Sequence, residues 1–182
     1  RSITFERIAE LSGTFGGKYE PVVGRGASAI SRNAPGYAAH LARVRVDRET
    51  GQVTVARYVA VQDVGFAIDP PLVHAQIHGG VAQGLGWALR EALVYSADGQ
   101  LLTASLMDYA VPAAIDLPPI ESVLVEVPAP DGPFGAKGVG EPPVVPVPAA
   151  VANAIRDAVG LRLTELPMTA ERVARALGCL AS

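Results

Sequence analysis

The sequence predicts an α+β fold, antiparallel hairpins packed with helices, and three features carry that expectation. Residues 39–64 alternate apolar and polar side chains about a tight turn, and residues 72–92 repeat apolar residues at near-helical spacing. Strands and helices also succeed one another without the regular strand–helix–strand period of a parallel sheet. At 182 residues the chain can bury a sizeable core across 1–182, as one domain or as two small, closely packed lobes.

In chain order, Ile3, Ile8 and Leu11 give residues 3–11 a helical spacing, and a Gly-rich stretch to Gly26 reads as loop. Ala42, Val44 and Val46 then share one face of a strand whose other face carries Arg43, Arg45 and Asp47. Arg48 to Gly51 form a tight turn with Gly51 in the left-handed position, and Val53, Val55, Val59 and Val61 continue as the return strand. Asp69-Pro70-Pro71 interrupts before the helix of 72–92, where Val73, Ile77, Val81, Leu85, Leu89 and Ala92 recur. That helix contains Gly79, Gly80, Gly84 and Gly86, each costing about 1 kcal/mol relative to Ala, so close approach of a helix or of a ligand must compensate. Strands follow at 93–96 and 101–109 around Asp98-Gly99, and another at 121–127. Pro142 to Val159 read as a proline-entered helix, and a last helix starts after Thr169 as N-cap.

Composition excludes several functions. A net charge of −3 without a basic cluster argues against a nucleic-acid surface. No apolar run approaches the roughly 20 residues of a membrane span. Hydrophobic residues at 49% and a mean hydropathy of +0.28 are high for a soluble monomer, which points to a partner surface. The single Cys179 excludes a disulfide framework and any self-contained iron–sulfur or Cys–zinc site, fits a cytoplasmic compartment, and reads as a small apolar filler of the last helix. The chain begins at Arg1 with neither an initiator Met nor a charged-then-apolar leader, as expected of a piece of a longer protein.

Common catalytic motifs are missing. G-A-K-G-V-G at 135–140 has neither dinucleotide-loop nor phosphate-loop spacing. His74 and His78 stand four apart, but Ala75 occupies the general-base position of the H-E-x-x-H metal motif, and the pair reads as satisfied polar residues. Ser28 and Ser31 lack a nucleophile elbow. What remains is V-Q-D-V-G-F-A-I-D-P-P around Asp63 and Asp69, the run from His74 to Gly86, and the loop ending in Glu141. Glycines let another molecule approach the backbone, where the N–H groups of Gly138, Val139 and Gly140 can face it. The amide of Gln76 suits the hydrogen-bonding edge of a pterin or nucleobase. Glu141, held between glycines and prolines, is either a desolvated general base or the solvated acid of an ordinary turn.

Five runs in order decide between these readings: R-V-D-R-E-T-G-Q-V-T-V (45–55), D-V-G-F-A-I-D-P (63–70), Q-I-H-G-G-V-A-Q-G-L-G (76–86), D-Y-A-V-P (108–112) and G-A-K-G-V-G-E-P-P (135–143). Together they resemble the C-terminal part of the molybdopterin-binding large subunit of the molybdenum hydroxylases, the xanthine dehydrogenase, aldehyde oxidase and carbon monoxide dehydrogenase family. The resemblance implies a partial cofactor-binding domain of the xanthine dehydrogenase type, with Glu141 as general base beside molybdenum. It implies Gln76, Gly79 and Gly80 as pterin contacts, and Lys137, Gly138, Val139 and Gly140 as lining of the cofactor side. The pterin, simple or as the cytosine dinucleotide, would hold the metal through its own sulfurs, so no protein metal ligand is expected. The implied reaction is hydroxylation of an aldehyde or N-heterocycle with water-derived oxygen. Electrons would leave through [2Fe-2S] clusters and FAD on other domains or chains. The family's cofactor cradle lies largely upstream, and F-G-G at 15–17 matches the family's F-G-G loop only by coincidence. The isolated chain is therefore expected to be inactive; a non-catalytic structural or assembly domain is the alternative.

Overall fold

A computed structural model of the chain describes residues 2–27 and 32–180, so Ser28 and Ser31 lie outside the described residues. It divides into two compact units, 1–30 and 31–182. In the first, α1 (Phe5–Gly13) is capped by Thr4, whose Oγ1 accepts from Arg7 N at 3.2 Å, and no residue of the helix is buried. F-G-G at 15–17 is a local turn in which Gly17 N donates to Thr14 O at 2.9 Å.

The second unit is built on the expected hairpin. β1 (Ala38–Val46) runs antiparallel to β2 (Val53–Asp63). Their turn is fixed by Asp47, whose Oδ1 accepts from Glu49 N and Thr50 N at 2.9 and 3.1 Å, while Gly51 takes φ +72°. The return strand does not keep one phase. The register slips between Arg43 and Val44 because Ala56 is an extra residue on β2. Such a bulge flips every later side chain, so Val53 and Val55 are buried before it and Tyr58, Ala60 and Gln62 after it. Val59 and Val61 are thereby turned to the opposite face.

α2 (Pro70–Leu89) begins two residues earlier than expected, with both prolines in its first turn, where no N–H is required, and Asp69 Oδ1 accepting from Leu72 N at 3.2 Å. It carries the chain across the sheet to β3 (Ile120–Val125), which pairs parallel to β2, giving the order β1-β2-β3. The sheet is thus mixed, and the 20-residue helix supplies the long connection that a parallel pair demands. The second hairpin shrinks to a single bridge between Tyr95 and Leu101. Its apolar side chains have no sheet to pack on, with Leu106 83% and Met107 95% exposed.

α3 (Val147–Val159) starts five residues later than expected, because Pro142, Pro143 and Pro146 interrupt the donors and leave 142–146 as turns. α4 (Ala170–Ala176) has the expected cap, Thr169 Oγ1 accepting from Arg172 N at 3.3 Å. Cys179 lies beyond α4, exposed, with Sγ 3.1 Å from Arg48 O, and not as an apolar filler inside a helix. Tyr58 and Ala60 of β2, Ile77, Val81 and Leu85 of α2, and Val147, Val151 and Ile155 of α3 form the core. Each full-sized aliphatic side chain there contributes about 1.5–3 kcal/mol.

The helix glycines are largely accounted for by this packing. A Cβ on Gly84 would fall 2.5 Å from Val147 Cβ, one on Gly80 2.8 Å from Pro143 Cβ, and one on Gly86 2.0 Å from Glu91 Oε1. Gly79 alone among the four has nothing within 4 Å.

Candidate functional site

The end of β2, the first half of α2 and the loop of 135–144 meet around one buried ion pair. Asp63 and Lys137 are 5% and 8% exposed in their side chains, with Nζ 2.6 Å from Oδ2. The second carboxylate oxygen accepts from Gly65 N at 3.0 Å and Val127 N at 3.4 Å, and Lys137 Nζ also donates to Pro35 O at 3.1 Å. Desolvation acts to raise the Asp63 pKa, but the Lys137 hydrogen bond, the two amides and the lysine charge outweigh it and hold the carboxyl below its ordinary range. The backbone is tied down at the same place, with Lys137 N donating to Val64 O at 3.0 Å. Gly65, at φ +70°, permits this: a Cβ there would lie 2.2 Å from Gly135 O and 2.9 Å from Lys137 N.

A second anchor, Pro143, follows six residues after Lys137. Pro143 is buried against Gly80, and Val144 N donates to Glu141 O at 3.0 Å. Between the anchors Val139 packs part-buried against the core, and Gly138, Gly140 and Glu141 around it are exposed. A Cβ on Gly138 would meet nothing within 4 Å, and one on Gly140 only Gln76 Oε1, at 3.9 Å. Among the described residues, the amides of Gly138, Val139 and Gly140 donate to no acceptor of this chain.

The structure places Gly140 of the loop beside Gln76 of α2, leaves Gly79, Gly138 and Glu141 exposed, packs Val139 part-buried against the core, and engages the other two sequence candidates within the chain. Gly80 is occupied by Pro143, and the Lys137 ammonium is directed to Asp63 and Pro35. Glu141 is exposed, so the desolvation expected of it does not come from this chain. A groove of about 210 Å³ adjoins the loop, lined by Phe66, Ile68, Leu72, Gln76, Lys137 and Val139 among others. Another cleft, of about 360 Å³, lies by Leu85, Leu89 and Arg90 at the far end of α2, roughly 20 Å from Gln76 at 1.5 Å per helical residue. Its charged groups, Arg90 and Asp116, pair with each other at 2.6 Å. It brings no further reactive group.

His74 and His78 converge on one hydroxyl, with Nδ1 and Nε2 respectively 2.7 and 3.0 Å from Ser122 Oγ. They are satisfied polar residues at the helix–strand contact. Among the described residues no group of three or more His, Cys, Asp or Glu gathers that could hold a metal ion directly. The loop and Gln76 offer free amide donors, a primary amide and a carboxylate, a donor set that fits a flat, polar cofactor held by hydrogen bonds. The sequence did not single out Ser122, nor Glu126, which accepts from Ala67 N at 2.8 Å and steadies the 64–69 segment; neither belongs to a spacing pattern that would have marked it.

Comparison with known proteins points the same way. A family model, "Molybdopterin cofactor-binding domain", matches residues 4–118. The chain is 43% identical over 140 residues to the nicotine 6-hydroxylase large subunit of Paenarthrobacter nicotinovorans, covering 75% of this chain and 17% of that one. It is 38% identical over 142 residues to the xanthine dehydrogenase molybdenum-binding subunit of Escherichia coli O157:H7, covering 78% and 19%. Quinoline 2-oxidoreductase from Pseudomonas putida 86 superposes with a TM-score of 0.73 at 39% identity, over 76% of this chain and 18% of that one. The chain thus spans less than a fifth of the length of these relatives.

Proposed function

Because the chain belongs to the molybdopterin cofactor-binding domain family of molybdenum-dependent oxidoreductases, we propose that it supplies one wall of a molybdenum hydroxylase active site, with Glu141 as general base. The observation that carries this reading is the span of 138–141, held at both ends and by the Val139 side chain, with three amides that meet no acceptor among the described residues leading to an exposed carboxylate. When bound, a molybdenum–pterin cofactor supplies two-electron oxidation of the substrate with oxygen derived from water.

The residues of this chain divide the remaining work. Gln76 presents an acceptor and two donors to the pterin edge, and Gly138, Val139 and Gly140 present N–H groups to its anionic parts. Gly79 leaves space for close approach from the helix side. Gly80 is closed off by Pro143, and the Lys137 ammonium, paired with Asp63, fixes the loop while the side chain lines the adjoining groove. Glu141 accepts the proton released as oxygen is transferred, which requires its carboxylate within hydrogen-bond reach of that proton. Burial of the carboxylate then comes from the rest of the subunit, from cofactor and from substrate.

Relatives named for nicotine, quinoline and aldehydes support an N-heterocycle or an aldehyde as substrate. The upstream part of the subunit completes the cradle, and iron–sulfur and flavin domains or chains receive the electrons. Molybdenum and pterin analysis of the complete subunit tests the assignment of the wall. Gln76→Ala should lower cofactor content without altering folding, since Gln76 is exposed. A complete subunit that takes up no pterin would instead identify the chain as a structural or assembly domain.

A further inference from the structure

Building on the reading of Glu141 as base, we propose that Asp63 is its positioning residue. Acting through Lys137, this buried carboxylate fixes the place at which the loop presents Glu141, and it touches no reacting atom itself. Asp63 stands at the end of β2, on the rigid sheet, whereas Glu141 stands on a loop. Among the described residues, the one charged link between the two runs from Asp63 Oδ2 to Lys137 Nζ at 2.6 Å, four residues before Glu141. Both carboxylate oxygens are engaged: Oδ2 by the lysine, Oδ1 by the amides of Gly65 and Val127. The carboxylate therefore has one orientation, and it transmits that orientation to the loop.

A buried ion pair is a poor device for stability alone, because desolvating two charges cancels most of their attraction and an apolar pair of similar volume does as well. Its distinguishing property is direction. Direction matters here because, among the described residues, 138–141 is otherwise held only by the Val139 side chain against the core and by the turn bond from Val144 N to Glu141 O, while a Cβ on Gly138 would meet nothing within 4 Å and one on Gly140 only Gln76 Oε1 at 3.9 Å. With the Lys137 anchor in place, the span before Pro143 is a Gly-Val-Gly-Glu-Pro pentapeptide. Without the Asp63–Lys137 pair, the loop ahead of that span is left to its backbone bonds, Lys137 N donating to Val64 O at 3.0 Å and Gly135 O accepting from Ala129 N at 2.8 Å. A base displaced by about 1 Å loses on the order of 10²-fold in rate.

The test uses the complete, cofactor-loaded enzyme carrying this chain, with Asp63→Asn and with the doubly neutral D63N/K137M, which leaves no lone buried charge if the single variant folds poorly. Each is made with and without Glu141→Gln. Turnover is read per bound cofactor, and hydrogen exchange is followed at the Lys137 amide, which donates to Val64 O. With Glu141 present, kcat should fall about 10- to 100-fold while KM stays within about threefold. Exchange at Lys137 should quicken by about tenfold as the anchor opens. In the Glu141→Gln background the same change should alter kcat by less than about twofold, since a positioning residue has nothing left to position. An equal loss of kcat in that background, or unchanged exchange, overturns the positioning role. Wild-type kcat in Glu141→Gln alone overturns the base reading on which it rests, and the two failures are distinguishable.

Discussion

Asp63 and Lys137 leave water together, and removing one strands the other. Asp63→Asn should destabilise the protein by about 3–5 kcal/mol, whereas D63N/K137M should recover most of that loss, because the second change removes the stranded charge. Urea denaturation of the two variants beside the wild type measures both. The same pair adds a pH dependence of definite sign. Asp63 titrates below its unfolded value, so its contribution is present above about pH 3.9 and is lost as pH falls from there through the lower folded value. The doubly neutral variant should lack that increment, and its acid limb should be correspondingly flatter. The sequence revealed a lysine in a glycine loop and an aspartate ahead of a helix, but not that 74 residues apart they meet. Their meeting depends on the strand end and the Gly65 turn, which only the folded chain brings into register. Glu141 was legible as a residue of interest, yet its exposure was not, because exposure depends on what the rest of the subunit covers.

At the scale of elements, α2 separates two kinds of glycine. Gly84→Ala places a Cβ 2.5 Å from Val147 Cβ and should destabilise by about 1–3 kcal/mol through overpacking against α3. Gly79→Ala places a Cβ with nothing within 4 Å among the described residues and should stabilise by about 0.5–1 kcal/mol through helix propensity. Thermal or urea unfolding compares them, and a fall in cofactor content in the stabilised Gly79→Ala subunit would mark that position as a place of close approach. The spacing of α2 and the alternation of β1 were legible because each pattern is local. Three features were not. The extra Ala56 leaves no mark in a run of β-formers, and it alone reverses which valines of β2 face the core. The parallel pairing of β3 is decided by a crossover, not by its own residues. The apolar run of 93–109 has strand composition, but no sheet edge receives it, and its side chains stay exposed.

Over the whole molecule, the bulge has a further effect. It directs Val59 and Val61 of β2 outward, where they align with Leu41 of β1 and Val123 of β3, 60% and 41% exposed. A sheet face of aligned, half-open aliphatics matches the high hydropathy of the chain and a length under a fifth of its relatives. The rest of the subunit is the expected cover. Leu41→Glu should leave the helices of this chain intact by circular dichroism and abolish its co-purification with the upstream part. On the proposed reading the same holds for the active site, to which this chain would bring the base, the loop that carries it and one cofactor wall. The most direct test is turnover per bound molybdenum in the complete enzyme carrying Glu141→Gln. Turnover should fall by about 10²–10⁴-fold with molybdenum and pterin contents unchanged. Wild-type turnover per molybdenum in that variant would contradict the assignment of Glu141 as the base.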